Sequence, residues 1–395
     1  MRIAFISDLE NKWPWAGCEE LWAAAAKSAL QDGHQVAFFQ TRETIANDKI
    51  QPLRELGLQV IPPSPSARAV WWLKRRVSWR LGSLTAHWIH WRLGLRKFAP
   101  DLVFITVGQP PLSPEFLRDL TRSGALTYPY ILRCHASFLF GPPMERQAQE
   151  TTARIYREAQ RVLFVAPRTH KDIEHLLATK LPRATIVRNP VNMSDIRPLP
   201  MPGGPTLRIA SVGRLAMPTK GLDILLAALG SPQWKDRDWQ LSIFGDGDHL
   251  PLLKLLAEHY EIADRVAFRG HQNDIRAIWA SHHLLALPSR NESAPLALVE
   301  AMVCGRPSVA NDVGGVRDWI DEPETGFISE GIHIESFRAA LERAWAARSD
   351  WEAIGNRARK KAFQLMDPDP GHTILEIVLG AATKPSPTSL SNSLS

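Results

Sequence analysis

Two glutamates, Glu292 and Glu300, stand in an otherwise small and apolar run at residues 289–305, S-R-N-E-S-A-P-L-A-L-V-E-A-M-V-C-G. A pair of carboxylates first suggests the acid and base of glycoside hydrolysis. The neighbouring cations suggest different chemistry. In S-V-G-R-L-A-M-P-T-K-G-L-D, Arg214 falls at the carboxyl end of an expected strand and Lys220 just before an expected helix. Two cations beside a helix amino terminus suit a diphosphate. The alternative is a solvated loop, since Arg and Lys are ordinary loop residues.

The strand H-L-L-A-L-P-S is expected to end near Ser289, with Pro295 starting a helix that Gly305 caps. The backbone from Ser293 through Ala294 and Pro295 to Leu296 then opens that helix, where unpaired amides suit an anion. A carboxylate within reach of an anion repels it, so Glu292 is expected to accept hydrogen bonds from neutral hydroxyls. Glu300 falls in the second helical turn among Ala297, Leu298, Val299, Ala301 and Met302, an awkward place for a solvated face. A ribose diol would offer its carboxylate two adjacent donors; the alternative is an ordinary surface glutamate.

The turn I-F-G-D-G-D-H-L puts Gly245 and Gly247 at another strand end, where glycine lets the backbone approach a ligand. It lacks the third glycine of a dinucleotide fingerprint. Its D-x-D recurs at 236–238 and 367–369, so it makes no case for a metal, and none is expected.

These residues need a scaffold. The chain has 395 residues, 45% of them hydrophobic, which points to two domains with substantial cores. Apolar runs at 2–7, 35–39, 101–106, 130–134 and 161–165 read as strands alternating with helices, among them 19–31 ending at Gly33. Prolines and glycines crowd residues 190–206, and the alternation restarts with strands at 207–212, 240–244, 265–268, 284–287 and 307–310.

The fold class expected is α/β, two doubly wound Rossmann-like domains facing across a cleft: 1–190, a linker at 191–206, then 207–366. A C-terminal helix at 367–382 is expected to pack back toward the first domain, and the Ser- and Pro-rich residues 383–395 to be disordered. The amino-terminal apolar run is too short for a signal peptide and reads as the first strand. Three cysteines, Cys18, Cys134 and Cys304, cannot all pair, which fits a reducing, cytoplasmic setting.

The spacing from Glu292 to Glu300, followed by A-M-V-C-G-R-P-S-V-A-N-D-V-G-G, resembles the signature of the retaining glycosyltransferases of family four, the glycosyl transferases group 1 family with the GT-B fold. V-G-R-L, K-G-L-D and F-G-D-G extend the resemblance over about 207–328. It implies a glycosyltransferase that moves a sugar from a nucleotide-diphosphate sugar to a glycan, lipid-linked or small-molecule acceptor with retention. It also implies that no cofactor or metal is needed. Arg214 and Lys220 would bind the donor diphosphate and stabilise the leaving group. Glu300 would hold the ribose, Glu292 the sugar hydroxyls, and the backbone at 293–296 the sugar and phosphate.

In the first domain, W-A-G-C-E-E-L-W resembles the family's glycine loop, with Gly17 at the second glycine, Glu19 at the glutamate, and Ala16 in place of the first glycine. I-L-R-C-H-A-S resembles the strand ending in a histidine near the reacting sugar, which selects His135. A nucleotide-sugar epimerase on the same architecture would want a positioned acid and base instead. A non-catalytic nucleotide-sugar-binding or scaffold protein is the alternative from another class, against which Arg214, Lys220, Glu292 and Glu300 all stand intact.

One stretch falls outside that pattern. From 56 to 100 there is no Asp or Glu, but eight cations and Trp71, Trp72, Trp79, Trp88 and Trp91 are interleaved. Within it, a basic, Trp-rich helical insertion at about 66–98 suits either an anionic membrane surface at the inner face or inward-packing tryptophans with solvated cations. Nucleic acid is not expected, because no recognisable motif for it is present.

Overall fold

A computed structural model describes residues 1–7, 15, 17–39, 47–62, 87–108, 112–134, 145–191, 193 and 195–382. The chain divides into two compact units, Met1–Pro190 with Asp367–Ser395, and Val191–Met366.

The first unit is built on seven strands: β1 (Arg2–Ser7), β2 (Gln35–Phe39), β3 (Gln59–Ile61), β4 (Leu102–Val107), β5 (Tyr130–Cys134), β6 (Arg161–Phe164) and β7 (Ala184–Ile186). They pair in parallel in the order β3-β2-β1-β4-β5-β6-β7. β4 and β5 are buried along their whole length. Continuous burial of that kind is what helices on both faces of a parallel sheet produce.

The second unit repeats the plan with β8 (Leu207–Val212), β9 (Trp239–Phe244), β10 (Val266–Gly270), β11 (Leu284–Leu287), β12 (Ser308–Asn311) and β13 (Phe327–Ser329). The order is β10-β9-β8-β11-β12-β13, again parallel. Both units are doubly wound, Rossmann-like folds. In the second, the strand order reverses between β8 and β11, the topological switch point at which such sheets bind ligands.

Register places the loops there. Val212 pairs with Phe244, and Leu285 with Ala210, so β8, β9 and β11 end at nearly the same level and their loops leave side by side.

Three strands escape the sequence reading, β3, β7 and β13. Each has three residues and closes one edge of a sheet. A strand with one neighbour needs little apolar length, so its pattern is weak.

The described residues of 191–206 have no regular structure but are fixed to the second unit. Arg276 donates to the Arg197 carbonyl at 2.7 Å, Arg306 to that of Pro200 at 2.6 Å and His283 to that of Pro202 at 2.9 Å. The C-terminal helix Pro370–Ala382 belongs to the first unit and packs on helix Gly17–Gln31. Gly371 makes that approach: a Cβ there would stand 2.7 Å from the Ala24 carbonyl oxygen.

The basic insertion is described only from helix His87–Phe98 onward, and Trp71, Trp72 and Trp79 lie outside the described residues. Trp91 is fully buried, edge-on to Phe116 at 5.8 Å. Cys134 and Cys304 are free and buried; burial pushes their thiols up to about 12 and about 11.

Candidate functional site at the β8 and β11 strand ends

Beyond β8 the chain turns through Gly213 and Arg214 into the short helix Met217–Lys220. Gly221 ends that helix in the left-handed region at φ +61°, which glycine adopts without strain. It lies against the β11 loop so closely that a Cβ would meet the Pro288 carbonyl oxygen at 2.1 Å. Lys220 extends back over Gly213, 3.5 Å from where a Cβ would be.

From the other side Glu292 comes to meet it. Lys220 Nζ donates to Glu292 Oε1 at 2.5 Å, and Ser289 Oγ donates to the same oxygen at 2.9 Å. The carboxylate side chain is 9% exposed and the lysine 21%. The expected repulsion between Glu292 and an anion is thereby answered: its charge is neutralised by the cation expected to hold that anion. An ammonium with one donor engaged has two left.

A second ion pair runs beside the first. Arg290 grips Asp223 with two bonds, 2.7 and 2.6 Å, and its backbone amide donates to the Thr219 carbonyl at 2.8 Å. The loop after β8 and the loop after β11 are thus joined by two charge pairs, one in each direction. Asp223 ends the K-G-L-D motif and Arg290 stands two residues before Glu292; the sequence reading gave neither a role. Their pairing is a contact between residues 67 apart, which no local pattern displays.

The loop carrying Glu292 is braced from beneath by Asn311, fully buried at the end of β12, whose amide donates to the carbonyls of Pro288 and Ser289 at 2.7 and 3.1 Å. The closing glycine pair braces it too. Gly314, at φ +50°, leaves no room for a side chain, since a Cβ would stand 2.0 Å from the Glu292 carbonyl oxygen, and Gly315 donates to that of Ser293 at 2.7 Å. Ser293 is fully buried, and among the described residues its hydroxyl meets no hydrogen-bond partner.

Past Ser293, Ala294 leads to Pro295, the N-cap of helix Leu296–Val303. Glu300 lies in its second turn and is buried, 5% exposed, which sets aside the surface alternative. The helix ends in a Schellman arrangement: Arg306 N donates to the Ala301 carbonyl at 2.9 Å and Gly305 is left-handed at φ +73°.

Together Gly213, the exposed Arg214, Lys220, Pro288 and Ser289 line a small, open pocket. Gly245 stands next to it, and its bare backbone also serves a contact between loops. A Cβ on Gly245 would meet the Gly213 carbonyl oxygen at 2.1 Å, and one on Gly247 that of Leu215 at 2.5 Å. The F-G-D-G glycines let two backbone loops touch.

The remaining expected residues belong to the first unit. Gly17 begins helix Gly17–Gln31. Glu19 is buried and accepts from Ser7 Oγ at 2.8 Å and Trp22 Nε1 at 2.5 Å, tying the helix start to the end of β1. Ala16 and His135 lie outside the described residues. Among the described residues no group of acidic, histidine or cysteine side chains could hold a metal ion, and no helix is long and apolar enough to cross a membrane.

The ordered loops can be compared with known proteins. Residues 206–347 match the model of the glycosyl transferases group 1 family, a span that takes in every residue of the β8 and β11 loops described above. This domain belongs to that family. This chain is 38% identical over 135 residues to an uncharacterized glycosyltransferase of Haemophilus influenzae, a match covering 34% of this chain and 38% of the relative. It is 32% identical over 130 residues to the N-acetyl-alpha-D-glucosaminyl L-malate synthase of Bacillus anthracis, covering 32% and 33%. The matched segments therefore span between a third and two fifths of these relatives.

Solved structures match the whole chain in fold. HepE of Anabaena in complex with UDP aligns with a TM-score of 0.71 at 17% identity, covering 96% of this chain and all of that one. A mutant of S. aureus TarM, in complex with Fondaparinux, alpha-GlcNAc-glycerol and UDP, aligns at 0.71 with 12% identity, covering 97% and 100%.

Proposed function

We propose that the chain is a glycosyltransferase that moves a sugar from a nucleotide-diphosphate sugar to a hydroxyl acceptor with retention of the anomeric configuration. The observation that carries the reading is the Lys220–Glu292 pair at the switch point of the second sheet, with Arg214 in the same pocket. Lys220, held by Glu292 with donors to spare, and Arg214 would take the diphosphate and stabilise the charge that develops on it as the sugar departs. Held cations of this kind need no reorganisation at the moment of reaction. Glu292 has a second carboxylate oxygen for the donor sugar, and the Ser293 hydroxyl is a polar group awaiting a partner. Glu300 would take the ribose. In the first unit, His135 near the reacting sugar and Gly17 in a loop over the donor diphosphate remain our candidates.

HepE has also been solved with UDP-glucose, and relatives of this chain include a glycogen synthase of Deinococcus radiodurans and an alpha-D-kanosaminyltransferase of Streptomyces kanamyceticus. These support a nucleotide sugar as donor and a glycan or small molecule as acceptor. The test is incubation of the purified chain with a panel of nucleotide sugars and acceptors. Nucleotide release is followed by mass spectrometry, and the anomeric proton coupling of the product is read by NMR. One donor should be turned over and its anomeric configuration kept. Release of nucleotide from none of them, or an inverted product, would overturn the reading.

A further inference from the structure

The net charge is unevenly placed. The first unit carries 27 Lys and Arg against 19 Asp and Glu, net +8, and the second 20 against 22, net −2, which makes the +6 of the whole chain. Residues 56–100 hold eight of those cations and no acid, so the rest of the first unit balances, 19 against 19. The entire excess lies in one stretch of sequence.

The described part of that stretch, helix His87–Phe98, has two faces. Trp91, Leu95 and Phe98 are buried, and Gly94 sits so close to Phe39 that a Cβ would meet its ring at 2.6 Å. That face is fully occupied by the core. The other exposes Arg92, Arg96 and Lys97, with Leu93 between them 62% exposed. Arg92 and Arg96 are one turn apart and share a side of the helix. Among the described residues, no acidic side chain pairs with any of the three. The helix packed beneath, Pro114–Ser123, adds an exposed Arg122.

We propose that this outer face docks on an anionic lipid surface, the helix lying in the interface with Arg92, Arg96 and Lys97 among the headgroups and Leu93 entering the acyl boundary. Charge decides the partner: cations without acidic neighbours gain most from a surface dense in negative charge. The exposed leucine decides between a bilayer and a soluble polyanion, since only the bilayer offers it an apolar environment. Trp91 takes no part, because it is spent on the core. The proposal concerns where the chain sits and does not depend on sugar transfer.

The test is co-sedimentation of the full chain with vesicles of phosphatidylcholine alone and of phosphatidylcholine mixed with phosphatidylglycerol. Binding should appear only with the anionic lipid and fall with salt. The triple variant Arg92→Gln, Arg96→Gln, Lys97→Gln should lower the partition coefficient about 100-fold, at roughly fivefold for each cation near the surface. Equal binding to neutral vesicles, or a triple variant that binds like the parent, overturns the proposal. Retention on heparin without vesicle binding also overturns it, by marking a soluble polyanion as the partner. Should the triple variant fail to fold, Leu93→Cys carrying an environment-sensitive dye replaces it, with the parent labelled in parallel to report dye on the natural cysteines. A blue shift at position 93 on anionic vesicles alone supports docking; an unchanged spectrum overturns it.

Discussion

At the scale of single residues, the contact between Lys220 and Glu292 matters most. Each partner leaves the other uncompensated in a partly buried place, and each is proposed to touch the donor. Lys220→Ala and Glu292→Ala should therefore each lower transfer at least about 100-fold, the size of effect expected when a preorganised charge is removed, while circular dichroism stays that of the parent. Near-normal turnover in either variant would remove the proposed donor site. Arg290 and Asp223 are different, since they hold the loops that carry the pair. Asp223→Asn or Arg290→Gln should reduce kcat/KM roughly tenfold, about 1.4 kcal/mol, and the double variant little further, because one interaction can be lost only once. Additive losses in that cycle would show that the two residues act separately.

At the scale of elements, the site is a meeting of loops made possible by missing side chains. Gly221, Gly245 and Gly314 each stand where a Cβ would come within about 2 Å of a neighbouring backbone oxygen, and all three are at positive φ. Gly221→Ala should cost roughly 2–4 kcal/mol, combining left-handed strain with the push against Pro288. It should separate Lys220 from Glu292 as well. Urea denaturation reads the first effect and donor affinity the second; unchanged stability would mean that the loops can part freely. Arg306 does comparable work for the stretch before β8. Buried and pulled down to about 10 by that burial, its guanidinium still donates to the carbonyls of Trp279 and Pro200.

At the scale of the molecule, the second unit should weaken as the medium becomes acidic. His282 and His283 are both held below the ordinary histidine value, first by burial. His283 accepts from the Arg208 amide through Nδ1 at 3.1 Å and donates through Nε2 to Pro202, a pattern open only to the neutral ring. The unfolded chain takes up these protons near pH 6.5, the folded chain only at lower pH. Their contribution is thus complete above about 6.5 and is lost as pH falls through the folded values. Urea midpoints measured from pH 7.5 down to 5 should fall, and His283→Asn should flatten the slope. A parent midpoint that is constant or rises on acidification would contradict this.

The sequence by itself determined the doubly wound plan in both units, because buried parallel strands and covering helices have different apolar periods and alternate audibly along the chain. It also determined which loops carry Arg214, Lys220, Glu292 and Glu300, because glycines, prolines and charges at strand ends are local signals. Edge strands β3, β7 and β13 left too short a pattern to read. Only the tertiary structure decided that Glu292 is bound to Lys220, that Asp223 and Arg290 repeat the bond beside it, and that Gly245 faces another loop. The physical reason is common to these three: charge pairing and backbone approach join residues far apart in the chain, and one sequence records each partner without recording the pair.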